Sequence, residues 1–144
     1  PLNLESAKRM DTLWATLTGN SFDDFILSFK GREIRFPFYK DGVGRFDFFE
    51  ICGQMLGPGD YLAIVDAVRV LMVDNIPQLS RSNFNEAKRF VTLRDAAYEA
   101  KISLICSAAT EPEMLYTEGE GSFEFERTAS RLKEMQSKNW LNVI

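Results

Sequence analysis

The sequence contains no histidine, and its two cysteines, Cys52 and Cys106, lie in different segments. Without histidine, a Ser-His-Asp or Cys-His nucleophile system and a histidine-ligated zinc site cannot be built from these residues. The cysteines form neither a CxxC redox pair nor a metal-binding cluster. We therefore predict two buried thiols in a reducing compartment.

Glycine motifs that bind phosphate are missing as well. The nine glycines form neither a GxxxxGK(S/T) loop nor a GxGxxG that follows a strand, and these two arrangements hold nucleotide phosphates against backbone N–H groups. We expect this stretch of chain to be inactive as an ATPase by itself. Because it begins at Pro1 rather than at Met, we expect it to belong to a longer protein.

Basic charge and long apolar runs are scarce. Seventeen Lys and Arg stand against 21 Asp and Glu, which gives a net charge of -4 and no basic footprint for nucleic acid or an anionic membrane surface. No apolar run approaches the roughly 20 residues that span a bilayer, and the first residues are not signal-like. The sequence predicts a cytoplasmic protein without a transmembrane segment or a direct nucleic-acid partner.

The first part of the chain predicts a helix and a β-hairpin. Apolar residues recur at helical spacing from 4 to 17, and Gly19 follows where helices commonly end. Residues on either side of Lys30-Gly31-Arg32 alternate at period two, which indicates a hairpin. Asp41-Gly42 then predicts a turn into a third short strand at 45–48.

The second part has the order of an α/β unit. Apolar runs at 68–73 and 102–106 predict strands buried on both faces. Asn83 and Glu86 have the spacing of a capping box, which predicts the start of a helix between the two strands. This strand-helix-strand order predicts a parallel sheet with helices on both of its faces.

These patterns give the predicted domain organisation of an α/β protein. Residues 1–48 form an amino-terminal helix and β-hairpin appendage, and residues 49–144 form the α/β part. Asp60 is predicted to be the N-cap of a helix in the α/β part.

Polar residues follow the two predicted buried strands. The run that ends in Val73-Asp74 is similar to the strand whose Asp holds Mg²⁺ in P-loop enzymes, but we favour Asp74 and Asn75 as the turn before Pro77 because Asx side chains stabilise turns. Ser107 ends the next strand, where α/β sheets place ligand contacts. A structural role is favoured for Ser107 too.

Two clusters have a functional and a structural interpretation, of which the structural one is favoured. Acidic side chains that can attract Mg²⁺ or a basic partner are predicted to form a solvated loop and helix start; they are Glu111, Glu113, Glu118, Glu120, Glu124 and Glu126. Aromatic side chains that can stack on a partner or on single-stranded nucleic acid are predicted to fill the core; they are Phe36, Phe38, Tyr39, Phe46, Phe48 and Phe49.

A last helix is predicted over residues 123–137, with Arg127 and Arg131 opposite its apolar stripe. On spacing alone we favour ion pairs along the helix, each worth about 0.2–0.5 kcal/mol. The alternative is that an arginine reaches a nucleotide phosphate or a neighbouring subunit, since the guanidinium group matches phosphate geometry.

A resemblance to a known family runs through nearly the whole chain. Its longest motif is Phe123-Glu124-Phe125-Glu126-Arg127-Thr128-Ala129-Ser130-Arg131-Leu132-Lys133-Glu134-Met135-Gln136-Ser137, and shorter ones are Phe46-Asp47-Phe48, Asp60-Tyr61-Leu62, Asn85-Glu86-Ala87-Lys88-Arg89-Phe90-Val91-Thr92-Leu93 and Ser107-Ala108-Ala109. These motifs resemble the carboxyl-terminal portion of the ZapE-like (AFG1-like) P-loop ATPases of the AAA superfamily.

The resemblance implies a P-loop NTPase-type sheet and hydrolysis of ATP with Mg²⁺. It implies that ATP and Mg²⁺ are bound mainly by an upstream P-loop domain of the same protein. It implies no catalytic or metal-binding residue in this chain. It assigns Arg127, Arg131 and then Arg89 to nucleotide sensing or subunit contact. Arg94 and Lys133 depart from the family pattern and are expected to be surface changes.

Similar bacterial proteins are linked to cell division, and mitochondrial relatives to quality control of inner-membrane complexes. Residues 116–121 look more bacterial, so we expect a bacterial cytoplasm with peripheral attachment at the inner membrane, or a mitochondrion for a eukaryotic source. The predicted function is an ATPase that remodels protein partners, with division or membrane machinery and a homo-oligomer as the implied partners. The alternative is a non-enzymatic interaction domain whose hairpin docks a partner.

Overall fold

A computed structural model describes residues 2–110, Leu115 and Ser130. The elements in this part of the chain are α1 (Leu4–Thr18), β1 (Phe25–Phe29), β2 (Arg32–Phe36), β3 (Phe38–Lys40), β4 (Val43–Asp47), α2 (Phe48–Cys52), α3 (Pro58–Asp66), β5 (Val70–Ile76), a 3-10 turn (Arg81–Asn83), α4 (Phe84–Ala100) and β6 (Ser103–Ala108). No helix within the described ranges is both long and apolar enough to cross a membrane.

The predicted first helix and hairpin are both confirmed. Helix α1 ends at Thr18, and the C-cap Gly19 has the left-handed φ of 72° that glycine adopts without steric cost. Strands β1 and β2 pair antiparallel, with Phe29 opposite Arg32. The two residues between them, Lys30 and Gly31, both have positive φ, as the tightest hairpin turns require.

A second sheet has the strand order β3-β4-β5-β6. Strand β3 is antiparallel to β4, whereas β4, β5 and β6 are parallel to one another. Helix α4 connects β5 to β6, so the predicted strand-helix-strand unit with parallel strands is confirmed and the fold is mixed α/β. The predicted strand at 45–48 is β4. Because β4 pairs with β5, this sheet contains strands from both sides of the predicted boundary between residues 48 and 49.

Both faces of this sheet are covered by helices. Along β5, Leu71 and Val73 join the larger core cluster with α2, α3 and α4, while Val70 and Met72 join a second cluster with Met10 and Trp14 of α1. Successive residues of a strand point to opposite faces, so α1 lies on one face and the other three helices on the other. The predicted two-sided cover is confirmed, and α1 supplies one side of it.

The hairpin packs on the same face as α2, α3 and α4. Ile34 and Phe36 of β2 belong to the larger core cluster. Gly44 of β4 makes room for this contact, because a Cβ atom built there lies 2.9 Å from the Phe36 ring. Real Cβ atoms do not approach so closely, so a larger residue at Gly44 displaces the hairpin from the sheet.

Two predicted helix caps are wrong in detail. Helix α3 begins at Pro58 with Gly57 as N-cap, because proline suits the first helical position. Asp60 lies one turn inside, where its Oδ2 accepts from the Gly57 N–H at 2.8 Å. Asn83 does precede α4, but its Oδ1 accepts from the Ser80 N–H at 2.8 Å. It therefore completes the capping box of the 3-10 turn, whose N-cap is Ser80. Asn83 is the N-cap residue of α4, as predicted, but the predicted box with Glu86 is not formed.

The predicted burial of both cysteines is confirmed, and both are free thiols. Cys52 lies at the end of α2 and Cys106 in the middle of β6, and neither side chain reaches solvent. Burial is the main cause that raises the pKa of each thiol above its ordinary value of 9.0, because a thiolate loses its hydration inside the core.

These raised pKa values predict a loss of stability at alkaline pH. The unfolded thiols ionise near pH 9 while the folded ones stay protonated, so stability is complete below pH 9 and falls as the pH rises further. At pH 10 the loss is about 1 kcal/mol for each thiol. Urea unfolding of the intact protein at pH 7 and pH 10 measures this loss. A double Cys52→Ala and Cys106→Ala variant should lose less between the two pH values, and an equal loss would contradict the assignment to the thiols.

Candidate functional site

Three parallel strands end at one edge of the second sheet. Asp47 ends β4, Asp74 and Asn75 lie near the end of β5, and Ser107 lies near the end of β6. Ligands of open α/β sheets bind outside the carboxyl ends of the strands. This group of four residues, the carboxyl edge, is therefore the first place where the fold can contact a ligand.

Asn75 joins the three strands. Its backbone N–H donates to Ser107 Oγ at 2.8 Å, and its side-chain Nδ2 donates to Asp47 Oδ1 at 2.9 Å. It has a φ of 61°, and the register between β5 and β6 shifts between Val73 and Ile76. The predicted turn at Asp74 and Asn75 is thus wrong: the strand continues to Ile76, because the cross-strand hydrogen bonds replace a local Asx turn. Ser107 has the structural role that the sequence favoured.

Two substitutions separate the contributions of Asn75. Alanine removes the bond to Asp47 and keeps a side chain in a left-handed conformation, so Asn75→Ala should lower the free energy of unfolding by about 1–2 kcal/mol. Asn75→Gly loses the same bond but tolerates the positive φ, and should lose less than half as much. Thermal unfolding of both variants measures the difference. Equal losses would show that the backbone conformation is not strained.

Asp74 binds an arginine. The Arg45 Nε donates to Asp74 Oδ2 at 2.7 Å and the Arg45 Nη2 to Asp74 Oδ1 at 3.0 Å, and the same Nη2 donates to Asp11 Oδ1 of α1 at 3.0 Å. The side chains of Arg45 and Asp74 are only 13% and 16% exposed. Burial lowers the pKa of Arg45, but the hydrogen bonds and charges of Asp74 and Asp11 outweigh it and raise that pKa.

The two hydrogen bonds from Arg45 engage both carboxylate oxygens of Asp74. The sequence of this strand is similar to that of a Mg²⁺-binding strand, but its Asp binds an arginine here. In the described part of the chain, no group of three or more Asp, Glu or Cys side chains is placed to hold a metal ion. The sequence patterns did not single out Arg45 or Asp11. The signal was a charged residue, Arg45, inside an apolar strand. Identifying Asp74 as its partner required the register of β4 and β5, in which Asp47, two residues after Arg45, lies opposite Asp74.

Of the three arginines assigned by resemblance, the structure describes Arg89. It lies on α4, where its Nη1 donates to the carbonyl oxygen of Cys52 at the end of α2, at 3.1 Å. It also lines a shallow pocket of about 290 Å³ between α3 and α4. Arg127 and Arg131 lie outside the described residues, as does the rest of the predicted last helix apart from Ser130. Their position on one face of that helix therefore remains a prediction.

Arg94 is not the surface change that was expected. Its side chain is fully buried, forms an ion pair with Asp95 and lies 5.5 Å from the centre of the Tyr98 ring. The reason is helical spacing, because residue 94 falls on the same face as the buried Phe90 and Ala97. The sequence carried this signal. Lys133 lies outside the described residues.

The aromatic cluster is divided between core and surface. Phe36, Phe46 and Phe48 are buried, which confirms the favoured core interpretation for them. Phe38 and Phe49 are 41% and 53% exposed. The acidic cluster between 111 and 126 lies outside the described residues.

Comparison with known proteins decides the family. The model of the family described as AFG1-like ATPase matches residues 1–143. The chain belongs to the AFG1-like ATPase family. The resemblance found in the sequence is thereby confirmed, and nucleotide use is the activity that this family's name states.

Individual relatives of this AFG1-like chain include the cell division protein ZapE of Escherichia coli (strain K12), which is 30% identical over 142 residues. That match covers 98% of this chain and 38% of ZapE. Lactation elevated protein 1 homolog B of Danio rerio is 28% identical over 147 residues, covering 80% of this chain and 29% of that protein. The chain thus spans less than two fifths of the length of these relatives. No solved structure matches it.

Proposed function

We propose that this chain is part of an enzyme that hydrolyses ATP with Mg²⁺ and uses the reaction to remodel protein partners. The observation that carries the proposal is the match of the AFG1-like ATPase family over residues 1–143. The coverage of 98% of the chain by the match to ZapE supports it, because the similarity is not confined to one short motif.

The name of ZapE, a cell division protein, favours bacterial cell division as the process. Quality control of membrane proteins is the second process that the family resemblance suggests. In either case the enzyme would work in the cytoplasm with peripheral attachment at the inner membrane, or in the mitochondrion of a eukaryote. A homo-oligomer and the division or membrane machinery are its proposed partners.

The proposed chemistry is phosphoryl transfer to water, in which positioning and charge stabilisation supply most of the rate enhancement. A P-loop domain elsewhere in the protein would hold the phosphates and Mg²⁺. Arg127 and Arg131 would stabilise the charge that develops on the phosphate oxygens or would report the nucleotide state. Arg89, held by the carbonyl of Cys52, would act at a contact with another protein surface.

Binding of ATP is tested by its effect on stability. A ligand that binds only the folded protein raises the unfolding temperature in proportion to the logarithm of its concentration. We expect ATP with Mg²⁺ to raise the unfolding temperature of the intact protein, and EDTA to remove most of this increase. No increase at millimolar ATP would contradict the proposed nucleotide use.

A further inference from the structure

The pocket between α3 and α4, the α3–α4 pocket, has a cationic wall and an apolar wall. It is lined by Leu56, Pro58, Tyr61, Asn85, Lys88, Arg89 and Thr92. Lys88 and Arg89 follow one another on α4, and no acidic residue is among these lining residues. Among residues 2–110, no carboxylate inside the pocket balances the charge of the cationic wall.

The two cations have no carboxylate partner among residues 2–110. Ion pairs in that range engage other arginines, such as Arg32 with Asp60 and Arg45 with Asp74, but neither Lys88 nor Arg89. A guanidinium group carries five N–H donors, and one hydrogen bond, to the carbonyl of Cys52, is found for Arg89 there. A half-buried arginine that is anchored at one nitrogen and still has donors available is suited to an anionic ligand.

The opposite wall favours an apolar group beside that anion. Leu56 and Pro58 form it. Tyr61 lies fully buried behind them, and its hydroxyl donates to the carbonyl of Ile51 at 2.8 Å. The volume of about 290 Å³ lies just below the usual range of about 300–1,000 Å³ for small-molecule sites. The size therefore fits one or two amino-acid side chains better than a whole nucleotide.

We propose that the α3–α4 pocket binds a peptide segment of a protein partner in which Asp or Glu stands next to an aliphatic or aromatic residue. The carboxylate would accept hydrogen bonds from Arg89 and Lys88, and the apolar neighbour would pack on Leu56 and Pro58. This inference rests on the proposed function, because it names the class of protein segment that the enzyme would engage.

A random octapeptide library displayed on phage, selected against the intact protein without nucleotide, tests the proposal. Enriched peptides should carry Asp or Glu beside Leu, Ile, Val or Phe. Synthetic copies should bind roughly tenfold or more weakly to Lys88→Glu and Arg89→Gln variants. Lys8 lies on α1, at the other face of the sheet. Lys8→Glu makes the same charge change as Lys88→Glu and should leave binding unchanged. Thermal unfolding checks that the variants are folded.

Three results would overturn the proposal. The first is no enrichment of acidic-apolar peptides, and the second is equal binding to the Lys88→Glu variant and the unchanged protein. The third is full displacement of the peptides by equimolar inorganic phosphate, which would assign the pocket to free anions. The selection needs no ATP, so a failure of nucleotide binding would refute the proposed function without deciding this test.

Discussion

Replacing Arg45 with methionine should lower the free energy of unfolding by about 2–4 kcal/mol. The change removes both hydrogen bonds to Asp74 and leaves that carboxylate, which is 16% exposed, without a cation. A largely buried charge that loses its partner costs several times more than an exposed pair contributes, because water cannot replace the lost interaction. Methionine keeps most of the side-chain volume, so the loss reports on charge rather than on a cavity. Urea unfolding of the intact protein, followed by circular dichroism, measures it.

Two further variants separate the arms of this ion cluster. Asp11 on α1 is 72% exposed, so Asp11→Asn should cost less than about 1 kcal/mol. Combining Arg45→Met with Asp74→Leu removes both buried charges and should recover much of the stability lost by Arg45→Met alone. A loss after Asp11→Asn as large as that after Arg45→Met would mean that the link to α1 matters more than the pair with Asp74.

The elements that sequence alone predicts well are those with strong local signals. Helix α1 has apolar residues at helical spacing and a glycine at its end, and the hairpin has alternating residues around Lys30-Gly31. The strand-helix-strand unit follows from two apolar runs separated by a helical pattern. Each helix or strand in these patterns is recognised from a local window of at most about 18 residues, so no knowledge of tertiary contacts is needed.

The polar details could not be predicted in the same way, because they depend on pairs distant in sequence. Asp74 and Asn75 look like a turn in isolation, yet Arg45 and Ser107 in the neighbouring strands hold them in a strand. These contacts depend on strand order and register, which local propensity does not determine. Asp60 is a different case, because the signal that was missed is local: Pro58, two residues earlier, marks the first residue of α3.

Arg94 illustrates an error of a different kind. Its position on the buried face of α4 follows from helical spacing, but this charged residue was expected at the surface, as a departure from the family pattern. A buried charge is costly unless other groups compensate for it. The ion pair with Asp95 and the ring of Tyr98 provide compensation that composition does not reveal. Spacing was the better guide here than residue type.

The largest expected effect on activity follows from the arginines near the end of the chain. If Arg127 or Arg131 stabilises charge on the transferred phosphoryl group, its replacement by alanine should lower kcat for ATP hydrolysis roughly ten- to a thousandfold. The unfolding temperature should stay nearly unchanged, because each side chain would act on the nucleotide and not on the core. Arg81→Ala, in the exposed 3-10 turn before α4, is a matched control and should retain full turnover.

Steady-state ATP turnover of the intact protein, beside its Arg127→Ala and Arg131→Ala variants, tests most directly whether this chain completes a nucleotide site. We expect turnover that requires Mg²⁺ and that falls at least roughly tenfold in one or both variants while both remain folded. No turnover in the intact protein, or full turnover in both variants, would contradict it.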